Sequence, residues 1–291
     1  MTDQTSSSSH QQDHKGYILD AENAAEMARL MLQDHMLTQA LGGLIPEQSD
    51  LSQIHQVLDI GCGPGGWLLD LVTQYPHLHG VGIDISELMI PYASHMAESR
   101  GLSNVNFQVM DATKGLSFPD STFDLVNARI LTGFLSTQQW AGLLSECARI
   151  TMPGGLLRLT EAEWGFTTSP ALDALTGYVT KAMYLGGHTF SPHGRTFGTT
   201  PVLRLLLQQA GYEHIEQQAH VVDFSTGTPW HESNTQNHLV FHKQVQPFLI
   251  YMQVATPEEL LQLYAQMEAD FQSNTFCGID YYLSVWGRKP Q

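Results

Sequence analysis

Short apolar runs alternate along this chain with longer segments in which apolar residues recur at helical spacing. The clearest run covers residues 57–60, and four glycines follow it within six positions. Residues 68–72 then place apolar side chains at a spacing that fits a helix. A short apolar run of this kind is typical of a buried parallel strand. The pattern therefore predicts a strand, a glycine-rich turn and a helix that begins at the turn.

The same alternation continues through the middle of the chain. Because strands alternate with helices, we predict an α/β fold with a doubly wound, mostly parallel sheet and helices on both faces. Ligands bind such sheets at the carboxyl ends of the strands. The predicted strands are residues 81–84, 104–110, 123–126 and 152–160, and the predicted helices are residues 87–100, 137–149, 170–185 and 201–210.

The last part of the chain adds two strands and a long insertion between them. The strands are predicted at residues 213–224 and 279–288, about fifty residues apart. This separation is far longer than an ordinary loop, and residues 237–252 and 257–271 have helical patterns. We therefore predict a helical lid over about residues 225–275, inserted in a single domain that covers residues 16–291.

The beginning of the chain is different in character. Residues 1–15 are polar and rich in Ser and Gln, which predicts a disordered tail. Residues 21–41 follow the pattern of one helix, with Asp20 at the N-cap position and Gly42 and Gly43 after its end. We predict that residues 16–45 form a helical cap on the domain.

The glycine-rich turn permits two interpretations. Gly61, Gly63 and Gly66 fit the pattern G-x-G-x-x-G of dinucleotide-binding proteins. Asp84 ends the second strand about twenty positions later, where a carboxylate can hold a ribose diol in either interpretation. Asp59 separates the two, because it would repel a pyrophosphate and attract an ammonium group. S-adenosylmethionine carries an ammonium group, a sulfonium and a ribose, so the pattern favours this cofactor.

The residues around this turn resemble a known family. Residues 59–66 resemble motif I of the class I S-adenosylmethionine-dependent methyltransferases, and residues 82–86 resemble their motif II. The resemblance covers residues 17–155 and implies a seven-stranded sheet whose last strand is antiparallel. The residues predicted to bind the cofactor are Tyr17, Arg29, Gln33, Asp59, Gly61, Cys62, Gly63, Asp84, Ile85, Met89, Asp111, Ala112, Asn127 and Arg129.

The N-terminal helix resembles a leader found in a subset of this family. In that subset the leader packs over the cofactor, which implies that Tyr17 and the face carrying Arg29 and Gln33 lie near the methionine end. The alternative is a surface helix in which Arg29 only pairs with Glu26 or Glu22.

The third and fourth strands end in polar residues that the resemblance also interprets. It implies that Asp111 binds the adenine amino group and that the backbone N–H of Ala112 binds a ring nitrogen. The alternative for Asp111 is the cap of a turn. Asn127 and Arg129 stand where amino-directed nucleic-acid methyltransferases usually carry Asn or Asp followed by Pro-Pro and an aromatic residue. That pattern is missing here, which disfavours exocyclic base amines as acceptors.

Charge and hydropathy exclude two classes of partner. The formal net charge is −16, with only 13 Lys and Arg and no basic run. Nucleic-acid backbones are bound by clustered cations, so we expect no nucleic-acid partner. The longest apolar runs fall short of a membrane span, and the polar start does not resemble a signal peptide. We therefore expect no membrane partner.

Cysteine and histidine spacing bears on location and metals. The three cysteines (Cys62, Cys147 and Cys277) are widely separated and form no C-x-x-C motif, which suits a reducing cytoplasm. The histidines that come closest to a metal-binding cluster are His231, His238 and His242. Their spacing is interpreted as one face of a helix, and we predict no metal site.

The acceptor site is predicted from the family's chemistry. Methyl transfer from a sulfonium is an in-line displacement, so the protein mainly aligns the acceptor and excludes water. A base is needed only where the acceptor must lose a proton. Glu161 follows the fifth strand, with Glu163 on the same side and Trp164 nearby, and we predict it as catalytic. His188, in a loop with His193, is the second catalytic candidate; the alternative is two loop histidines with satisfied hydrogen bonds.

Together these patterns predict a methyltransferase that acts on a small organic acceptor in an enclosed, aromatic-lined pocket. They suit specialised metabolism, leave O-, N- and C-methylation open, and allow a homo-oligomer. One alternative is a nicotinamide-dependent oxidoreductase, which Asp59 and the lack of a Tyr-x-x-x-Lys pair disfavour. Another is a non-catalytic relative that keeps the cofactor fold. The aromatic residues expected around the pocket are Trp164, Phe166, Tyr178, Tyr184, Phe190, Phe197, Trp230, Phe248 and Tyr251.

Overall fold

A seven-stranded sheet forms the centre of the computed structural model, which describes residues 18–291. The predicted tail at residues 1–15 and the predicted role of Tyr17 lie outside the described residues. The strand order is β3-β2-β1-β4-β5-β7-β6. The strands are β1 Gln56–Ile60, β2 His79–Asp84, β3 Val105–Val109, β4 Phe123–Arg129, β5 Thr151–Thr167, β6 Glu213–Asp223 and β7 Gly278–Arg288.

The pairing of the strands confirms the predicted fold class. β1 pairs in parallel with β2 and β4, and parallel pairing extends to β3 on one side and β5 on the other. β7 is inserted between β5 and β6 and runs antiparallel to both. The carboxyl ends of the first five strands therefore meet at one edge, which is where an open α/β sheet binds its ligands.

Helices cover both faces of the sheet. Successive side chains of β1 point to opposite sides, so the strand gives each face apolar side chains for helices to pack on. Val57 packs with Trp67 of α2, whereas Leu58 packs with Trp140 of α4, and all four side chains are buried. The α-helices within residues 18–291 are α1 Ala24–Ala40, α2 Gly66–Gln74, α3 Met89–Ser99, α4 Gln139–Ile150, α5 Pro170–Leu185, α6 Leu203–Gln209, α7 His231–Gln244, α8 Gln246–Tyr251 and α9 Pro257–Phe271. Each of them is too short or too polar to cross a membrane.

The N-terminal helix starts later than its sequence pattern predicted. Asn23, not Asp20, is the N-cap of α1, and its side chain accepts a hydrogen bond of 2.8 Å from the Ala25 N–H. The Asp20 carboxylate instead accepts the Glu22 N–H at 3.0 Å, within the preceding turn. Both residue types can cap either structure, so the sequence alone did not decide between them.

Strand β5 is longer than predicted. It runs 17 residues to Thr167, and its pairing with β7 continues to the partners Thr167 and Gly278. The register shifts between Glu163 and Phe166, which marks a bulge. Glu161 and Glu163 therefore lie within the strand and not after it, since β7 provides hydrogen-bonding partners beyond the end of the apolar pattern.

The predicted lid consists of α7, α8 and α9. α9 has the predicted bounds and begins with a capping box between Thr256 and Glu259. α7 begins six residues before the predicted residue 237 and is separated from α8 around Val245. The lid helices and α5 share a second apolar core that includes Leu175, Leu249 and Phe271, each at most 1% exposed. The domain limits themselves stay a prediction.

The bulge in β5 leads to a test of the β5–β7 pairing. A Cβ atom on Gly165 would lie 1.6 Å from the backbone oxygen of Ile279. We expect Gly165→Ala to lower the free energy of unfolding by about 1–3 kcal/mol or more, because backbone must move to make room.

Gly177→Ala is the matched control, measured by the same denaturant titration. Gly177 is exposed on α5 and a Cβ atom there would meet nothing within 4 Å. We expect this variant to be stabilised by about 0.5–1 kcal/mol, as for other helical Gly→Ala changes. Equal stability of the two variants would contradict the tight pairing at the bulge.

Candidate active site

A cavity of about 250 Å³ opens at the carboxyl ends of the parallel strands and continues under α1 and α7. We call its two parts the loop end and the lid end. The loop end is lined by Asp59, Gly61, Cys62, Gly63, Asp84, Ile85, Met89, Asp111 and Ala112. The lid end is lined by Glu161, Glu163, Trp164, Met183, Phe197, Asn237, His238, Phe241, Asp280 and Tyr282. Most of the predicted cofactor residues are thus brought together at the loop end.

The glycine-rich turn has a backbone that only glycine adopts readily. Gly63 and Gly65 have φ angles of 52° and 80°, in the left-handed region. A Cβ atom on Gly65 would also lie 2.8 Å from the ring of Phe107. The turn therefore needs glycine both for its conformation and for close packing of α2 on β3.

Asp84 fixes this turn against β2. One carboxylate oxygen accepts the Gly63 N–H at 2.9 Å, and the other accepts the Ser86 N–H at 3.0 Å. Burial raises the pKa of Asp84. A carboxylate can accept about four hydrogen bonds, so Asp84 keeps capacity for donors from a ligand in the cavity.

Asp59 is a buried carboxylate with a supporting chain of side chains behind it. Its Oδ1 accepts a hydrogen bond of 2.7 Å from Asn127 Nδ2, and Asn127 Oδ1 accepts one of 3.0 Å from Arg158. Arg158 also pairs with Glu47. Burial raises the pKa of Asp59 to about 6, against the opposing charge of Arg129. Asn127, predicted as a direct cofactor contact, lies behind Asp59 and does not line the cavity.

Arg129 lines the cavity and forms an ion pair that the sequence did not reveal. Its Nη2 lies 2.6 Å from Asp34 Oδ1, and Asp34 lines the cavity as well. A Cβ atom on Gly66 would meet the other Asp34 oxygen at 2.1 Å, so Asp34 lies over the first turn of α2. Asp59 and Arg129 therefore present opposite charges to the same part of the cavity.

Arg29 forms the ion pair with Glu26 that is the predicted alternative to a cofactor contact. Its guanidinium donates to both carboxylate oxygens of Glu26, at 2.8 and 2.6 Å, and both side chains are buried. Arg29 Nη1 also donates to Asn237 Oδ1 at 2.9 Å, which joins α1 to α7. Arg29 and Gln33 nevertheless line the cavity, so the two interpretations are compatible.

The position of Asp111 is likewise compatible with both predicted roles, the cap of a turn and a contact with adenine. It caps a 3-10 turn at Ala112–Lys114, where its Oδ1 accepts the Thr113 N–H at 3.0 Å and the Thr113 hydroxyl at 2.6 Å. Its other oxygen lies 3.1 Å from Lys114 Nζ. Asp111 and Ala112 both line the loop end, and their predicted contact with adenine stays a prediction.

Glu161 anchors the segment that follows β4. Its Oε1 accepts the Leu131 N–H at 2.6 Å, and its Oε2 accepts the Thr132 hydroxyl at 2.8 Å. These bonds hold a turn that begins at Ile130, whose φ of 58° is unusual for a β-branched residue. Burial raises the pKa of Glu161 to about 7. Glu161 lines the cavity, as predicted for a catalytic residue, but its oxygens hold backbone and hydroxyl donors.

His188 does not line the cavity. It is half-buried after α5, and its Nδ1 lies 3.1 Å from the Leu135 backbone oxygen. Burial lowers its pKa. The structure thus places His188 as a loop histidine with a local partner, and the prediction that it faces the acceptor is not supported.

Only part of the expected aromatic pocket forms. Trp164 and Phe197 line the lid end, with ring centroids 5.2 Å apart. Phe166 and Tyr251 are each 73% exposed and Tyr184 is 43% exposed, so these three lie on the surface. The sequence pattern could not separate them because the side that a strand or helix buries depends on its neighbours.

A buried polar cluster at the lid end was missed by the sequence reasoning. His238 Nε2 lies 3.0 Å from Asp280 Oδ2, and Asn234 Nδ2 donates to the same oxygen at 2.8 Å. The available signal was the spacing of Asn234, His238 and His242, which places them on one face of α7. His231, the first residue of α7, lies near the same face, and its Nδ1 is 2.9 Å from the Phe224 backbone oxygen. Residues 18–291 contain no group of three or more ligands able to hold a metal.

Comparison with known proteins gives similarity to methyltransferases. Residues 57–155 match the sequence profile of a family described as a methyltransferase domain. The chain is 28% identical to a probable methyltransferase, ltbC, of Aspergillus luteorubrus over 179 residues, 58% of this chain and 61% of that protein. It is 39% identical to aklanonic acid methyltransferase DauC of Streptomyces sp. strain C5 over 119 residues, 40% and 52% of the two chains. The matched region is thus less than two thirds of either relative.

Solved structures share the fold. The YcgJ protein of Bacillus subtilis superposes with a TM-score of 0.56 at 18% identity, covering 87% of this chain and 99% of that one. Phosphoethanolamine N-methyltransferase 2 of Haemonchus contortus, in complex with S-adenosyl-L-methionine, has a TM-score of 0.54 at 18% identity. This match covers 87% of this chain and 52% of the other. At these identities the likeness establishes the fold.

The burial of Glu161 predicts a pH dependence of stability. A carboxyl group whose folded pKa is raised binds its proton more tightly in the folded state, so stability falls as pH rises from the unfolded to the folded pKa. With a folded pKa of about 7 and an ordinary glutamate pKa of 4.5, the loss is up to about 3 kcal/mol over this window. Glu161→Gln should flatten the slope between pH 5 and 7, measured by urea unfolding.

Glu146→Gln is the control for this measurement. Its hydrogen bonds with Arg149 lower the Glu146 pKa to about 2, so its contribution is complete above the unfolded pKa and is lost only below it. The variant should change the level of stability but not the slope between pH 5 and 7. Parallel profiles for the wild type and Glu161→Gln would show that Glu161 is ionised in the folded protein throughout.

Proposed function

We propose that this chain, which belongs to the class I S-adenosylmethionine-dependent methyltransferases, transfers a methyl group to a small organic acceptor. The observation that carries the proposal is the single cavity in which the loop end continues into an aromatic and carboxylate-lined lid end. A cofactor in the first part and an acceptor in the second would meet without crossing solvent. The nicotinamide alternative is disfavoured by the buried carboxylate of Asp59, which would repel a pyrophosphate.

The residues at the loop end fit the cofactor. Asp59 and Arg129 match the ammonium and carboxylate of its methionine part, and Asp84 has free acceptor capacity for the ribose diol. The left-handed turn at Gly63 has no Cβ atom facing the cavity. When bound, S-adenosylmethionine supplies an electrophilic methyl group and a neutral thioether leaving group.

The protein's contribution is to orient the acceptor and to exclude water. α1 and α7 lie over the cavity and are joined by the hydrogen bond between Arg29 and Asn237. Three carboxylates from β5 and β7 (Glu161, Glu163 and Asp280) surround the lid end. This environment disfavours anionic acceptors and tolerates neutral or cationic ones.

The acceptor we propose is a compact product of specialised metabolism. Trp164, Phe197 and Phe241 give the lid end flat apolar walls, which suit a ring-containing molecule. The name of the Streptomyces relative assigns it aklanonic acid as substrate, and this supports an organic acceptor for our chain. A cytoplasmic location is consistent with the free thiols of Cys62 and Cys277. Assembly into a homo-oligomer stays a prediction from sequence.

The first test measures cofactor binding. Because a ligand that binds only the folded state raises the melting temperature, we expect S-adenosylmethionine and S-adenosylhomocysteine to raise it and NAD to leave it unchanged. Asp84→Ala should weaken the shift, whereas Asp70→Ala, an exposed carboxylate on α2, should not. Stabilisation by NAD alone would overturn the proposal.

The acceptor itself can be identified by a separate experiment. A search of metabolite extracts for products heavier by one methylene, formed with the protein and S-adenosylmethionine, would identify it.

The second test uses the raised pKa of Asp59. With a pKa of about 6, the Asp59 carboxyl gains its proton as the pH falls from 7 to 5, and the protonated group cannot form an ion pair with the ammonium group of the ligand. The affinity for S-adenosylhomocysteine, measured by calorimetry, should therefore rise between pH 5 and 7. Asp59→Asn should bind more weakly at pH 7 and lose this dependence. A wild-type affinity independent of pH would mean that Asp59 does not pair with the ammonium.

A further inference from the structure

We propose that His238, held by Asp280, takes the proton from a hydroxyl group of the acceptor, so that the enzyme methylates oxygen on a neutral phenol or enol. This inference rests on the proposed function and deepens it by naming the acceptor class. His238 is on α7 and Asp280 is on β7, and both line the lid end of the cavity. They are 2% and 7% exposed, so a proton moved between acceptor and imidazole would not exchange freely with bulk water.

The hydrogen bonds of Asp280 define the tautomer of His238. Asn234 Nδ2 donates to Asp280 Oδ2 at 2.8 Å, and His238 Nε2 lies 3.0 Å from the same oxygen. Asn234 donates to this oxygen, and a carboxylate oxygen accepts from His238 Nε2 as well. In the neutral imidazole with its hydrogen on Nε2, Nδ1 has the lone pair. This is the arrangement in which a carboxylate orients an imidazole as a general base.

The other charged groups that face His238 are already engaged. Glu163, on β5, accepts the Phe197 and Gly198 N–H groups at 2.8 Å each. Glu161, also on β5, holds the turn after β4, and Arg29 of α1 donates to Glu26. Among the described residues that line the lid end, the His238–Asp280 pair keeps a nitrogen suited to accept a proton.

His242 does not compete for this role. Its ring stacks on that of His238 with centroids 5.8 Å apart, and it is fully buried. Burial lowers the pKa of His242 well below its usual value, with a further contribution from the charge of His238. A neutral His242 adds no repulsion when His238 becomes charged. Tyr282, the other titratable side chain nearby, has its pKa raised by burial and stays protonated.

The walls around His238 select the acceptor. Trp164 lies with its ring centroid 5.7 Å from that of His238 and 5.2 Å from that of Phe197, which leaves flat apolar surfaces beside the imidazole. Aromatic rings pack on such surfaces in offset or edge-on geometry. The nearby carboxylates disfavour an acceptor that arrives as a carboxylate or phosphate. A neutral hydroxyl on a flat ring meets both requirements.

The step conserves atoms and charge. The acceptor O–H bond breaks, and its proton moves to Nδ1 of His238. An oxygen lone pair forms the new bond to the transferred methyl carbon, while the former bonding pair of that carbon stays on sulfur. The products are a methyl ether, S-adenosylhomocysteine and an imidazolium paired with Asp280. The imidazolium then returns its proton to solvent after the products leave.

The test compares two naphthols that present the same hydroxyl position and differ in acidity. 1-Naphthol is neutral at pH 7.5, whereas 4-nitro-1-naphthol is already ionised. With 1-naphthol, His238→Gln should lower kcat by about 10²–10⁴-fold, the usual cost of a lost general base. The nitro compound, being an anion, should bind more weakly to both proteins, but its loss of kcat on His238→Gln should be far smaller, because no proton has to be removed. 1-Naphthoic acid should be a poor substrate for both proteins.

His231→Gln is the matched control, because it changes a histidine of the same helix that lies outside the cavity. It should keep wild-type turnover on both naphthols. Asp280→Asn tests the positioning role: removal of the anion should move the acid limb of the kcat–pH profile to lower pH. Thermal stabilisation by S-adenosylhomocysteine verifies that each variant is folded and binds the cofactor product.

A second readout needs no turnover. With S-adenosylhomocysteine bound, the absorbance of 4-nitro-1-naphthol reports its ionisation in the site, and loss of His238 should raise the pH at which the bound probe ionises. Equal losses of His238→Gln on both naphthols, or an unchanged ionisation midpoint, would overturn the inference. A wild type that binds and ionises the probe but methylates nothing would instead count against the proposed function.

Discussion

Buried carboxylates hold this site together, and the rest of its architecture depends on how each one is paired. A charged group removed from water costs several kcal/mol unless hydrogen bonds and opposite charges replace the lost hydration. At the ligand-binding edge of the sheet those donors come mostly from the backbone of the turn beside each strand. The carboxylates and their donors are Asp59 with Asn127, Asp84 with Gly63 and Ser86, Glu161 with Leu131 and Thr132, Glu163 with Phe197 and Gly198, and Asp280 with Asn234 and His238.

The same arrangement sets the electrostatic character of the cavity. Each of these carboxyl groups also lines the cavity enclosed by α1 and the lid, and so contributes negative potential there. The cations that line this space, Arg29 and Arg129, are paired with Glu26 and Asp34. A sulfonium and an ammonium group are favoured in such surroundings, and a pyrophosphate is not. The structural need for anchored turns and the preference for a cationic cofactor therefore have one physical origin.

The sequence predicted what depends on local pattern and missed what depends on packing. The strand, glycine turn and helix at residues 57–72 have strong local signals, and α5 and α9 have the predicted bounds. The partners of Asp59, Arg129 and His238 lie 68, 95 and 42 positions away in the chain, and no spacing rule connects them. The extra length of β5 was missed for the same reason, since β7 supplies its hydrogen bonds.

Asn237 connects the two ends of the cavity. It accepts a hydrogen bond from Arg29 of α1 and precedes His238 on α7. On α1, Arg29 is followed by Gln33 and Asp34, which line the cavity beside the loop end. A buried hydrogen bond thus joins the wall that covers the cofactor part to the helix that carries His238. Because a buried bond of this kind is costly to leave unmade, it couples the position of α7 at the lid end to that of α1 over the loop end.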